Sequence, residues 1–261
     1  MKLAIPMSAA FVLALCLSLS SSAAADDGRT AKEIIDTMVN KDSMAFDEGY
    51  GVVEMVIENK RGKQRIRKVE TKGKKVDGLG RFVLTFLEPD DVAGTQMLSI
   101  ERKGEDDLQY LYLASMKETR KIAGADKNDN FMGTDFTFAD MEQRDVEDAA
   151  YERLADTEVS KIPAYHIIAK PNAGTSEYSK LEMWIDQQDH LPLKIYYYDK
   201  KDQLLKKLIA KRIEPKGGKP TITKLLMMNV QKGSRTTLNI LQLERGAKVP
   251  DGIFDPDALG K

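Results

Sequence analysis

The chain has 261 residues, and its 40 lysines and arginines against 41 aspartates and glutamates leave a formal net charge of −1. That balance excludes the global positive field that draws nucleic acid. A single cysteine, Cys16, excludes a disulfide framework, so the fold must rest on burial of apolar surface, for which the length is ample.

The chain opens on Met1-Lys2, runs almost wholly apolar from Leu3 to Leu19, and reaches Ala23-Ala24-Ala25 before Asp26-Asp27. This is the order of a secretory signal peptide cleaved after Ala25. A membrane anchor is the other reading, but the run is short for a ~30 Å hydrocarbon core and ends in a small-residue site. Cys16 follows Leu15 rather than a small residue and precedes Leu17 and Leu19, which argues against lipidation there. The expected mature chain, residues 26–261, has 236 residues (261 minus 25), no cysteine and, with Lys2 gone, a net charge near −2 (39 against 41). No later stretch approaches the ~18 apolar residues that cross a bilayer. The expectation is a soluble protein exported to the periplasm, with one domain spanning residues 26–261.

Next comes one amphipathic helix. Thr30 and Glu33 have capping-box spacing, and Ala31, Ile34, Ile35 and Met38 recur at i, i+3, i+4 and i+7. Lys32, Glu33, Asp36 and Thr37 take the other side. Nearly everything afterwards has a period of two. Val52-Val53 and Met55-Val56-Ile57 lead into the basic runs Lys60–Lys68 and Lys72–Lys75. Those runs fit a solvated hairpin; a contact surface for anionic lipid or an acidic partner is the alternative. Phe82, Leu84 and Phe86 alternate before Pro89, and Leu108, Tyr110 and Tyr112 share a strand face. Tyr165, Ile167 and Ala169 share another, and Leu181, Met183 and Ile185 alternate with polar residues and Trp184. Leu191, Leu193, Ile195 and Tyr197 follow, and Leu238 and Ile240 oppose Leu241 and Leu243. The pattern gives about ten antiparallel strands. Because Val52–Ile57 and Leu225–Met228 are apolar on both faces, either both sheet faces are covered or one lines an apolar cavity. Ten methionines in the expected mature chain (12 less Met1 and Met7) favour a pliable lining.

Signals for catalysis are sparse. His166 falls in a strand and His190 in a turn, neither at metal-ligand spacing. There is no G-x-S-x-G, no phosphate loop and no G-x-G-x-x-G. Acid pairs such as Asp90-Asp91 and Glu147-Asp148 read as solvated turns. The expectation is a protein without catalytic residues, metal or cofactor. Two stretches carry more information. Asn130–Met141 contains Gly133, which permits a turn, the alternating Phe136 and Phe138, and Thr137 or Asp140 as the cap of a short helix. Its plain reading is a corner whose aromatics plug the core. Glu182–Asp186, Leu191–Asp199 and Leu204–Lys206, with turns between them, then make two consecutive hairpins with Trp184 and Tyr196–Tyr198 packed across strands.

The hairpin Trp184-Ile185-Asp186 … Leu191-Pro192-Leu193-Lys194 … Tyr197-Tyr198-Asp199 resembles that of the LolA-like outer-membrane lipoprotein-sorting proteins. The Gly133-Thr134-Asp135-Phe136 corner, the ending Arg245–Pro256 and the Ala31–Ile35 helix are similar to features of the family's larger branch. The resemblance covers essentially the whole expected mature chain. It implies a mainly β (α+β), single-domain incomplete antiparallel β-barrel, with covering helices over an apolar cavity that shields acyl chains in the periplasm. The partners it implies are lipid or lipoprotein acyl chains, an inner-membrane exporter of the RND or ABC type and an outer-membrane acceptor. Candidate cavity residues are Ile34, Ile35, Met38, Val53, Met55, Ile57, Phe82, Leu84, Phe86, Phe136, Phe138, Met183, Trp184, Tyr197, Leu226 and Met228. The functional expectation is a carrier that moves acyl chains toward the outer membrane without covalent chemistry. The alternatives are a lipid-responsive periplasmic sensor and an accessory protein of a lipid-exporting permease.

Overall fold

A computed structural model describes residues 27–41, 48–142 and 146–261. The expected signal peptide, Cys16 and the expected mature terminus at Asp26 lie outside the described residues. Two antiparallel meanders make one sheet. The first holds β1 (Glu48–Glu58), β2 (Gln64–Val76), β3 (Leu79–Glu88), β4 (Gln96–Ile100), β5 (Leu108–Leu113) and β6 (Glu118–Ile122). The second holds β7 (Ala149–Arg153), β8 (Thr157–Val159), β9 (Ile162–Pro171), β10 (Lys180–Asp186), β11 (Pro192–Tyr198), β12 (Leu204–Lys216), β13 (Lys219–Asn229) and β14 (Ser234–Arg245). Pairing of β1 with β14 joins them, and the spatial order runs from β6 through β1 and β14 to β9 and β7, with β8 beside β9. The end strands β6 and β7 do not pair with each other, so the barrel is incomplete.

The sheet has fourteen strands among the described residues, not about ten. The period-two reading missed the shortest ones, β4, β6, β7 and β8, which have too few residues to display a period. It also took β2 for part of a solvated basic hairpin. The turn at Asn59–Lys63 is exposed as expected, but β2 turns Arg67 and Val69 inward.

The single α-helix among the described residues, α1 (Ala31–Asn40), starts at the expected capping box. The Glu33 amide donates to Thr30 Oγ1 at 3.2 Å and the Thr30 amide to Glu33 Oε2 at 2.7 Å. Where several covering helices were expected, the second cover is a strap of short 3-10 turns, residues 123–142, leading away from β6 across the open side of the sheet. Its tight corner has Met132 at φ 47° and Gly133 at φ 73°, the left-handed geometry that glycine tolerates. Thr137 and Asp140 exchange backbone-to-side-chain hydrogen bonds at 2.8 and 3.2 Å, closing the turn at Ala139–Met141.

Burial separates two faces. Alternate residues of the inner face form two clusters, one under each cover. The outer face is covered locally. Val249, Phe254 and Leu259 of the C-terminal segment pack on Val83 and Leu98 of β3 and β4. Trp184 and Leu193 pack with Ala164 on β9–β11. Leu193 departs from its expected partners Ile195 and Tyr197, because a register shift between Trp184 and Ile185 makes it the extra residue of a bulge.

Candidate functional site

The inner face is the candidate site, and its two halves are filled by different covers. In the half formed by β7 and β9–β13, Ile34 and Ile35 of α1 insert at 0% and 3% exposure. They pack among Tyr165, Ile167, Met183, Tyr197 and Met227, with Met38 and Phe136 partly buried at the margin. In the half formed by β1–β6, Phe131 and Phe138 of the strap insert among Met55, Leu84 and Phe86. Val53 and Phe82 flank them. Phe131 and Phe138 meet edge-on at 5.5 Å, a favourable quadrupole arrangement. A period-two alternation would put Phe136 and Phe138 on one side, but Phe138 turns into the helical region and the two pack into different halves, so the strap straddles both.

Thirteen of the sixteen candidates are thereby on the inner face. Ile57 is buried at its end. Trp184, Leu226 and Met228 stand on the outer face, because strand alternation puts their neighbours Met183 and Met227 inward. Trp184 stacks on His166 at 4.7 Å with the Lys194 ammonium 3.8 Å above it. Met228 pairs with Lys207, which reaches over Tyr196 on the same outer layer.

Where an apolar cavity was expected, side chains of α1 and of the strap pack onto the inner face. An empty void of ~500 Å³ would cost on the order of 12 kcal/mol at about 24 cal/mol per Å³, as much as a whole domain's stability. The two pockets described are peripheral, and most of their lining residues are polar or charged. One, about 550 Å³, opens at the end of the barrel between Lys63, Arg65, Asp135 and Lys232. The other, about 520 Å³, lies beside α1 between Arg29, Lys41, Gln188 and His190.

Polar contacts tie both covers to the sheet. Ahead of α1, Asp27 accepts from Tyr165 Oη at 2.6 Å and from Arg153 Nη1 at 2.8 Å, while Arg29 Nη1 lies 2.9 Å from His190 Nε2. The Tyr165 hydroxyl is the main reason the Asp27 carboxyl is held down to about 2, and burial, then Asp27, pushes the Tyr165 phenol up to about 12. Burial lowers the His190 imidazole, with Lys41 and Arg29 adding repulsion. On the strap, Arg67 of β2 donates to the Met132 carbonyl and lies 5.5 Å over the Phe86 ring. Its burial lowers the guanidinium below its ordinary range. Asp135 is held by Ser234 and Thr236, and Gln109 Nε2 donates to the Phe138 carbonyl at 3.0 Å. At the far side, Lys206 Nζ meets Asp140 Oδ2 at 2.9 Å. Sequence reasoning missed Arg67, Lys206 and Tyr178 as site residues. No local signal marks them: Arg67 lies in a basic run, Lys206 beside Lys207, and Tyr178 in the loop before β10.

Comparison with known proteins gives the same architecture. A family model described as an uncharacterized protein matches residues 78–261. A solved domain from Vibrio parahaemolyticus, named for outer-membrane lipoprotein sorting, is 26% identical over 88% of this chain and 98% of its own, with a TM-score of 0.82. A DUF1329 family protein from Desulfovibrio piger is 29% identical over the same shares, with a TM-score of 0.81. A LolA superfamily protein from Nitrosomonas europaea shares the fold at a TM-score of 0.69 and 16% identity, covering 88% of this chain and all of that one. No curated protein matches the sequence. Among the described residues, no helix is long and apolar enough to cross a membrane.

Proposed function

From the premise that the chain belongs to the LolA-like family, we propose that it is a periplasmic carrier. It takes the acyl chains of a lipid or lipoprotein onto the inner face of the half-barrel and passes them toward the outer membrane without covalent chemistry. The observation that carries this reading is the pair of inner clusters. An apolar face spans the sheet, and its covers are a ten-residue helix and a strap, not a second sheet. Either cover can leave without breaking the main ladder. An incoming acyl chain replaces Ile34, Ile35, Phe131 and Phe138 against the same wall. Burial supplies ~0.8 kcal/mol per CH₂, less the work of displacing the covers.

Release then requires a partner that favours the closed state, because a ligand shifts an equilibrium only by its differential affinity. An inner-membrane exporter of the RND or ABC type as donor and an outer-membrane acceptor fill the two ends of such a path. The test loads the protein, purified without its signal peptide, with labelled lipid. It then follows chemical integrity and transfer to acceptor vesicles with and without the cognate membrane partner. Intact label delivered to vesicles supports the carrier. Cleaved label means an enzyme, label retained under every condition means a sensor, and failure to bind any lipid overturns the reading.

A further inference from the structure

One buried charge on the inner face has no role in closing an apolar core. Lys206 and Asp140 form an ion pair whose side chains are 4% and 2% exposed. Tyr178 Oη lies 2.7 Å from Asp140 Oδ1 and 3.0 Å from Lys206 Nζ, and its ring meets Tyr197 at 5.0 Å. Asp140 is the sole carboxylate paired with Lys206 among the described residues. Taking two charges out of water costs several kcal/mol each, and a well-packed apolar pair at such a place is commonly as stable or more so. The ladder also shifts register beside this pairing. A register shift between Tyr197 and Tyr198 brings Lys206, not Leu205, opposite Tyr197 on the inward side. The two halves of the pair belong to different bodies: Lys206 and Tyr178 stay with the sheet, while Asp140 rides on the strap.

We propose that Lys206, with Tyr178, is the anchor for the anionic head group of an acyl amphiphile, a carboxylate or phosphate, and that Asp140 occupies this anchor when the chain is empty. The proposal rests on the carrier reading and names its ligand class. When the strap lifts, Asp140 leaves, and an ammonium and a phenol remain at the margin of an apolar wall. That is the composition of a site for a chain with one charged end. A neutral ligand would strand the ammonium, whereas an anionic one restores the pair, which gives selectivity without a further contact.

The experiment measures binding of palmitate, lysophosphatidic acid and hexadecanol at mildly alkaline pH to wild type, D140N and the double variant K206M/D140N. Removing both charges avoids leaving one buried alone. Circular dichroism and the thermal midpoint verify folding, and K206R with native Asp140 serves as the charge-retaining control. Wild type should bind both anionic amphiphiles at least about tenfold tighter than hexadecanol. The double variant should lose that preference, binding hexadecanol more tightly than wild type because no ammonium is stranded, K206R should keep it, and D140N should tighten all three ligands because none then has to displace the ion pair. Equal binding of palmitate and hexadecanol by wild type, or a preference surviving in the double variant, overturns the anchor while leaving the carrier intact. Inorganic phosphate displacing palmitate at comparable concentration overturns an amphiphile as the ligand. If no amphiphile binds wild type, the carrier reading itself fails.

Discussion

Truncating Ile34 to alanine separates a cover that opens from a helix that is simply core. Ile34 is fully buried in the inner cluster, so Ile34→Ala removes about three methylene equivalents, ~2.4 kcal/mol of transfer free energy, plus the residual void. Alanine's better helix propensity returns up to about 0.7 kcal/mol, leaving a net loss of ~2–4 kcal/mol. A ten-residue helix is marginal on its own in water. The loss should therefore appear in the local opening of α1 and not in the sheet. Hydrogen exchange of the α1 amides should accelerate by ~30- to ~900-fold, with β10 and β13 amides unchanged. Because the closed helix competes with the ligand, the apparent affinity for a fluorescent fatty acid should rise as the open fraction rises. Asp36→Ala, on the exposed side of the helix, should instead slow α1 exchange by no more than about threefold, through helix propensity alone, and should not raise fatty-acid affinity. Equal loss of protection in helix and sheet, with fatty-acid binding unaltered, would refute the idea that α1 is a cover.

Asp27 ties the segment before α1 to Tyr165 and Arg153 with a depressed carboxyl, so its contribution is present above its ordinary pKa of 3.8 and lost as pH falls toward about 2. Asp27→Asn should remove that part of the acid dependence of α1 exchange while leaving acid unfolding of the sheet in place. Arg67→Met keeps bulk over Phe86 but removes the donor to the Met132 carbonyl, so strap amides should exchange faster by the equivalent of ~1.5–3 kcal/mol. Unchanged strap protection in that variant would mean the guanidinium does not hold the corner. A β-carbon on Gly260 would overlap the Tyr112 ring, and the residue has φ 81°. Gly260→Ala should free the C-terminal end from the outer face of β4–β5, read as faster carboxypeptidase trimming with little change in the thermal midpoint.

The elements that could be read from the sequence are those with redundant local signals. Thr30 and Glu33 fix the helix start twice, by propensity and by reciprocal hydrogen bonds, and Ile34 and Ile35 then face inward by simple periodicity. Phe82, Leu84 and Phe86 alternate cleanly against the polar or outward residues between them. Parity fails where a strand is apolar on both faces, since Leu226 and Met228 differ from Leu225 and Met227 only in which way the pleat points. It fails again at bulges. The shift near Leu193 and the one near Leu205 each reverse the face of the residues beyond them, and no side chain announces them. Arg67 and Lys206 look like any solvated cation until the partner 65 or 66 residues away is known, Met132 in one case and Asp140 in the other.

The seam between β1 and β14 sets the order in which this molecule must assemble. Tyr50 and Gln242, hydrogen-bonded across it, are 192 positions apart in the chain. Every other ladder stays within its own half, most of them simple hairpins. Closing a loop of that length costs about 4–5 kcal/mol in chain entropy against ~1.4 kcal/mol for a five-residue hairpin, a difference worth about two orders of magnitude in encounter probability. Two half-sheets should therefore form early and independently, and their joining should be the slow event, leaving two complementary strand edges open in the interval. The same arithmetic runs in reverse for a chain cut between β6 and β7. Such a cut leaves all ladders whole, so fragments 27–142 and 146–261 remain able to find each other through β1 and β14. The Val249–Leu259 segment, packed on the outside of the opposite half, clasps the pair once they meet.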